Sequence, residues 1–273
     1  MPVKGVGACS LFANPVRWRI SVCMSVCGWL ARWWRLLPGG WMWLPAAISV
    51  ESPQAQAEEI TAVAETGVRA VVLVSNRLDP RQDGDAVWLQ RAETLLSRLP
   101  QELMLGIYEC PQPYKRLLTP VILDWCVETG RFAFIKDTCC DPAELTARLQ
   151  RLRGTGVGLF NANEQTLLHS LQQGAWGYFG SMANFHPELL VWLCDQWQRQ
   201  PETAQRLQNY LSLYAFTEQL AYPCTAKYRF QLEGLPMELD ARSRDVKELT
   251  EYQRLCIRQA RDSEADVRTW LSI

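Results

Sequence analysis

The chain has 273 residues, 48% of them hydrophobic and 21% charged, enough apolar material for one large core or two smaller ones. A formal net charge of −1 lacks the clustered basic excess of nucleic-acid binders. No run approaches the roughly 18 consecutive apolar residues of a membrane helix, so neither nucleic acid nor a membrane is an expected partner. The ten cysteines form no zinc-ligand spacing, the only histidines are His169 and His186, and Cys139-Cys140 reads as two reduced thiols. The expectation is a cytoplasmic protein with no metal site and no cofactor.

Residues 1–43 differ in composition from everything after them. The first acid is Glu51, so Lys4, Arg17, Arg19, Arg32 and Arg35 give the first fifty residues a charge of +5. Six of the twelve tryptophans also fall in residues 1–43. The apolar stretch Ile20–Leu30 resembles a signal core, but Arg32 and Arg35 follow at once and no small-residue cleavage site ends it. Three readings stay open: a targeting or membrane-surface segment, a structured extension, or a misread start or reading frame.

From Leu44 the chain alternates strand and helix. Leu44–Val50 reads as a strand and Pro53–Thr66 as a helix. Then come strand Ala70–Ser75, helix Ala86–Leu99, strand Leu103–Tyr108, helix Thr119–Thr129, strand Phe132–Asp137 and helix Pro142–Leu152. Strand Val157–Asn161, helix Glu164–Gln172, strand Trp176–Gly180 and helix Pro187–Arg199 complete six βα units. Runs such as AVVLV and FAFI are continuously apolar, as in a parallel sheet covered on both faces. Two long helical stretches, 201–221 and 241–271, follow, joined around Gly234-Leu235-Pro236. Three segments result: an atypical one over 1–43, the βα units over 44–200, and C-terminal helices over 201–273. No GxGxxG opens the first helix, so a doubly wound sheet fits less well than a β/α barrel, which is short by two strands.

Barrel enzymes place reactive groups at the C-terminal ends of strands. Tyr108 ends one strand, just before Glu109-Cys110-Pro111, and Lys136 lies near the end of FAFIKD. Only five residues are lysine against 23 arginines, so a lysine in an apolar strand stands out. Alternation puts Phe132, Phe134 and Lys136 on one face, with Ala133 and Ile135 on the other. If that face is enclosed, desolvation lowers the lysine's pKa and frees its amine to attack a carbonyl. The alternative is an interior lysine paired with a carboxylate such as Asp137 or Glu164.

Taken in order, these segments resemble the dihydrodipicolinate synthase / N-acetylneuraminate lyase family of class I aldolases, from Leu44 to about Leu235. LPAAISVESPQAQAEEITAVAETGVRAVVLVS is similar to the family's third strand, helix and fourth strand. LGIYECP resembles its Tyr-Asn-x-Pro strand end and FAFIKD its Schiff-base strand. GAWGYFGSMANFHPEL is similar to its eighth strand and following helix, and YPCTAKYRFQLEGL to its C-terminal helix pattern. The resemblance implies an α/β fold of the TIM (β/α)8 barrel type, incomplete at the N-terminus with strands three to eight recognisable, and a C-terminal helical extension. It implies Lys136 as the Schiff-base lysine and Tyr108 as the phenol that moves protons. The implied activity is a lyase or aldolase acting on a small 2-keto acid of pyruvate type, sugar-derived acids included. A homo-oligomer, dimer or tetramer, is also implied.

The chain departs from the family at three places. No counterpart of the family's Gly-Thr-Thr-Gly-Glu carboxylate loop occurs in residues 1–43. Pro113 stands where the synthases carry an arginine, and Ser75-Asn76-Arg77-Leu78 where they carry a tyrosine. A typical dihydrodipicolinate synthase is therefore not expected; a non-catalytic binding or regulatory member, or a truncated one, is the alternative. After the seventh strand, Asn163 and Glu164 are candidates to meet a polyol tail, with Ser181 and Asn184 at the eighth. Against that, Asn163 fits a helix cap and Glu164 the positive end of a helix dipole. Tyr114, Lys115 and Arg116 read as an anion contact or a solvated loop, His186 as a helix-start residue, and Cys110 as a packing thiol.

Overall fold

Apolar runs become parallel strands here, and the stretches between them become helices that start where a cap or a proline allows. The computed structural model describes residues 43–45, 52–65, 70–241 and 243–273. The expectations for residues 1–42, and for the strand beyond Pro45, lie outside the described residues. The chain divides into two compact units: one runs to Cys139 and includes Ala147–Leu159, the other comprises Cys140–Thr146 and Phe160–Ile273 among the described residues.

The first unit holds β1 (Trp43–Pro45), α1 (Pro53–Ala64), β2 (Ala70–Val74), α2 (Asp85–Leu96), β3 (Met104–Tyr108), α3 (Pro120–Glu128) and β4 (Phe132–Asp137). The chain passes between the units after Cys139, again within α4 (Pro142–Leu152) and a third time within β5 (Gly158–Asn161). Strands β1 to β4 pair in chain order and all in parallel. Every residue of β2 is buried, so both faces of this strand are covered. Ser52 and Thr119 cap α1 and α3 by accepting the Ala55 and Ile122 N–H groups, each with a proline at the first helical position.

The simple alternation expected of FAFIKD is broken. Leu105 pairs with Phe132, but the next residue, Gly106, pairs with Phe134, so Ala133 is an extra residue in β4. The bulge splits the two phenylalanines. Phe132 packs on Trp125 of α3 (ring centroids 5.8 Å apart), and Trp125 in turn meets Trp88 of α2 edge-on at 5.7 Å. Phe134 instead lies over Gly106, whose missing Cβ would sit 2.3 Å from the phenyl ring. Phe134 and Lys136 share a face as alternation predicts; Phe132 does not.

The second unit holds α5 (Leu167–Gln173), β6 (Gly177–Tyr178), α6 (Pro187–Gln196), α7 (Pro201–Tyr214), α8 (Cys224–Leu232) and α9 (Glu251–Leu271). β5 pairs with β6 in parallel through Phe160↔Gly177 and Asn161↔Tyr178. The core gathers Leu167, Phe185, Leu189, Leu207, Leu211 and Ile257 from these helices and the loops between them. The two C-terminal stretches expected at 201–221 and 241–271 appear as shorter helices, and a third lies between them. α7 stops at Tyr214, a separate α8 forms after Pro223, and α9 begins only at Glu251, where Thr250 and Gln253 close a reciprocal capping box. No helix among the described residues is long and apolar enough to cross a membrane.

Gly106→Ala puts a methyl group into space held by a buried ring that packing prevents from moving. Its expected cost is about 1–3 kcal/mol, read as a lower denaturant midpoint with unchanged m-value. A midpoint equal to that of the parent chain would show that the ring has room to shift.

Candidate active site

Neighbouring strand ends in the first unit bring the two expected residues together. Tyr108, last in β3, is the register partner of Lys136 in β4. Both side chains are buried, Lys136 to 6% exposure, and the lysine Nζ stands 3.9 Å from the centroid of the Tyr108 ring. The ring's negative π face attracts the ammonium there, an interaction strengthened by exclusion of water.

The residues that follow this pair point the other way. Glu109 and Asp137 are both fully buried, and Arg148 of α4, itself buried, joins them. Its Nη1 donates to Glu109 Oε1 at 2.7 Å and to Asp137 Oδ2 at 2.6 Å, and its Nη2 to the Leu118 carbonyl at 3.0 Å. Glu109 also accepts the Leu118 and Thr138 N–H groups at 2.7 and 3.0 Å, and Asp137 accepts the Cys139 N–H at 3.0 Å. Burial pushes the Glu109 carboxyl above its ordinary pKa; Arg148 acts against that shift and Asp137 with it. Asp137, considered above as a partner for Lys136, is thus engaged by Arg148.

A second buried residue, Asn76, organises the loop after Tyr108. Its Nδ2 amide lies within hydrogen-bond reach of the carbonyls of Cys110, Gln112 and Tyr114, at 2.7 to 2.9 Å. The residues read as an anion contact are used within this unit instead. The Tyr114 hydroxyl donates to the Asp79 carbonyl, Lys115 donates to the Thr138 carbonyl at 2.8 Å, and Arg116 pairs with Asp79 and Asp85. Cys110 is buried, in line with a packing thiol.

The four residues expected to contact substrate lie in the second unit and have separate surroundings. Asn163 caps the short 3₁₀ turn Glu164–Thr166, its Oδ1 accepting the Thr166 N–H at 3.0 Å. Glu164 is buried against His186, with an Oε1···Nε2 hydrogen bond, while Gln208 donates to its backbone carbonyl at 2.9 Å. Desolvation raises the Glu164 pKa, and His186 works to lower it. His186 precedes α6 as expected of a helix-start residue, and its ring meets Tyr214 edge-on at 4.5 Å. Ser181 donates to Glu218, and Asn184 donates to the Ser181 carbonyl and, at 3.3 Å, to the Tyr222 hydroxyl. Ser181 and Asn184 therefore meet in one polar cluster, which Asn163 and Glu164 do not join through these bonds.

Tyr178, ending β6, was not singled out from the sequence. Its phenol is fully buried, and burial raises its pKa well above the ordinary value, with Glu164 adding to the shift. Gly180 makes room for it: a Cβ there would lie 2.2 Å from the Tyr178 hydroxyl and 2.3 Å from the Ala162 carbonyl. Arg148 did leave a trace in the sequence, an arginine on the helical stripe of Leu145, Leu149 and Leu152. For Asn76 no local signal exists.

The description of the dihydrodipicolinate synthetase family matches residues 100–259. Among solved structures, the chain is similar to a monomeric dihydrodipicolinate synthase variant, with TM-score 0.77 and 14% identity over 88% of this chain and 79% of that one. It is also similar to a catalytic-lysine mutant of the sialic acid aldolase of Ruminococcus gnavus, with TM-score 0.69 and 15% identity over 82% and 73% of the two chains. A prophage protein of the dihydrodipicolinic acid synthase family from E. coli K12, in complex with pyruvate, gives TM-score 0.66 and 18% identity over 80% and 72%. No curated protein matches the chain in sequence.

The raised pKa of Glu164 has a consequence for stability. A carboxyl that holds its proton more tightly when folded contributes stability that is present below its unfolded pKa near 4.5 and is lost as pH rises through the folded value. Glu164→Gln mimics the protonated acid and lacks this loss. Between pH 4.5 and 7, the urea midpoint of the parent chain is expected to fall relative to that of E164Q; parallel curves would refute the assignment.

Proposed function

Because the chain belongs to the dihydrodipicolinate synthetase family, we propose that it is a Schiff-base-forming lyase or aldolase acting on a 2-keto acid. The observation that carries this reading is the buried Lys136–Tyr108 pair at neighbouring strand ends, with Nζ 3.9 Å from the phenol ring. The fold it shares with a pyruvate-bound family member and with an aldolase described by its catalytic lysine supports the same reading.

The chemistry follows from the two side chains. Lys136 gives up a proton, and its amine adds to the C2 carbonyl of the keto acid. Loss of water then leaves an iminium joining Nζ to C2. The positive nitrogen takes up the electron pair released at C3, so a carbon–carbon bond to C3 breaks, or forms in reverse, through a neutral enamine. Tyr108 carries protons to and from the substrate oxygen as these bonds change. Water then adds to the iminium carbon, and its hydrolysis releases the product and returns the free Lys136 amine.

The substrate class follows from the departures. With Pro113 and Ser75-Asn76 in place of the synthases' arginine and tyrosine, a sugar-derived 2-keto acid fits better than the synthase substrate. A homo-oligomer remains the proposed assembly. The lack of a Gly-Thr-Thr-Gly-Glu sequence favours a second reading, a non-catalytic member that binds a keto acid reversibly.

Borohydride trapping with pyruvate, followed by peptide mass mapping, separates the two. The enzyme reading expects a reduced pyruvyl adduct on Lys136, lost in Lys136→Arg, and a trapping rate lowered roughly 10²- to 10⁴-fold in Tyr108→Phe. A folded chain whose melting temperature rises with pyruvate but which forms no adduct is the binding protein. A folded chain that does neither sinks both readings.

A further inference from the structure

We propose that Arg148 is a positioning residue for the Schiff-base pair: by binding the two acids that directly follow Tyr108 and Lys136, it fixes the ends of β3 and β4 and with them the lysine–phenol geometry. The inference rests on the function proposed above and adds a residue that touches no substrate.

The geometry is one of alternation. Successive side chains in a strand project to opposite faces, so when Tyr108 and Lys136 face each other, Glu109 and Asp137 project together on the reverse side. One guanidinium reaches both, at 2.7 and 2.6 Å. The backbone around the acids is closed as well. Glu109 donates its N–H to the Lys136 carbonyl at 3.3 Å, and the Thr138 hydroxyl donates to the Glu109 carbonyl at 2.7 Å. A slip of either strand end by a fraction of an ångström breaks these bonds, so the ammonium-to-ring distance is held from behind.

Stability alone is a poor reason for this cluster. A buried arginine with two carboxylates loses hydration at all three groups, and apolar residues of similar volume generally serve a core as well or better. What an ion cluster supplies and an apolar contact does not is direction: the guanidinium's fixed fork accepts only a narrow range of carboxylate positions. Such precision matters where a reacting pair must meet, since misplacement by about 1 Å can cost on the order of a hundredfold in rate.

The test must separate positioning from folding. Arg148→Met alone strands two buried carboxylates, so the informative chain is the neutral triple variant Glu109→Gln/Asp137→Asn/Arg148→Met, with Arg148→Lys as the conservative change. On folded protein, two readouts are taken. The first is the pyruvate dependence of borohydride trapping, split into maximum rate and half-saturating concentration. The second is the acylation rate of Lys136 by acetic anhydride, normalised to the exposed Lys247 and needing no keto-acid chemistry.

The expected result is a roughly hundredfold lower maximum trapping rate with half-saturation changed less than about threefold. Lys136 acylation should rise at least about fivefold as the strand ends loosen, and Arg148→Lys should recover part of both effects. A folded triple variant with parental acylation of Lys136 overturns the inference, as does a trapping loss confined to half-saturation. If the parent chain itself forms no adduct, the Schiff-base reading fails, and acylation alone decides the role of Arg148.

Discussion

Two adjacent parallel strands each end in a reactive side chain followed by an acid, and the pleat of the backbone sends the two kinds to opposite faces. Tyr108 and Lys136 face each other across the register pair, while Glu109 and Asp137 meet Arg148 behind them. The cost of enclosing the acids is visible in Glu109, whose carboxyl is pushed upward by burial although a guanidinium touches it. Gly106 belongs to the same arrangement, because only a residue without a side chain leaves Phe134 its place beneath the pair.

Much of the fold was legible because a parallel sheet buried on both faces writes itself as short apolar runs between caps and prolines. FAFIKD and the helix Pro142–Leu152 appear with the expected boundaries, and AVVLV with one residue fewer at its end. The bulge at Ala133 was not legible. Alternation is a local rule, and whether an extra residue is accommodated depends on what the partner strand and the covering helix offer, here Gly106 and Trp125. The C-terminal region failed for a related reason. Helical periodicity alone does not fix where a helix begins or ends, and α8 forms in the segment between the two expected stretches.

The site divides in the same way. Lys136 and Tyr108, the residues proposed for the chemistry, stand out in the sequence because each is chemically out of place in, or at the end of, an apolar strand and lies at the strand end where a barrel would use it. Their support was not found, since Arg148 stands 39 residues from Glu109 and Asn76 stands 34 from Cys110, and no short-range spacing encodes such pairs. For Asn163 and Glu164 the sequence offered a ligand role beside a structural one. The cap on Thr166 is the one that the structural reading gave Asn163, whereas the buried pair of Glu164 with His186, 22 residues away, is in neither reading.

Buried carboxyl groups among the described residues meet different chemical partners. In the first unit a permanent cation holds two carboxylates, and because arginine stays protonated at any working pH, that geometry keeps its cation throughout. In the second, Glu164 meets the ring of His186 through one Oε1···Nε2 hydrogen bond. The guanidinium binds two carboxylates at once, whereas the imidazole contact reaches one. The strand ends that carry the proposed chemistry have the partner that does not titrate, which is the choice expected where reacting groups have to be held at a fixed separation.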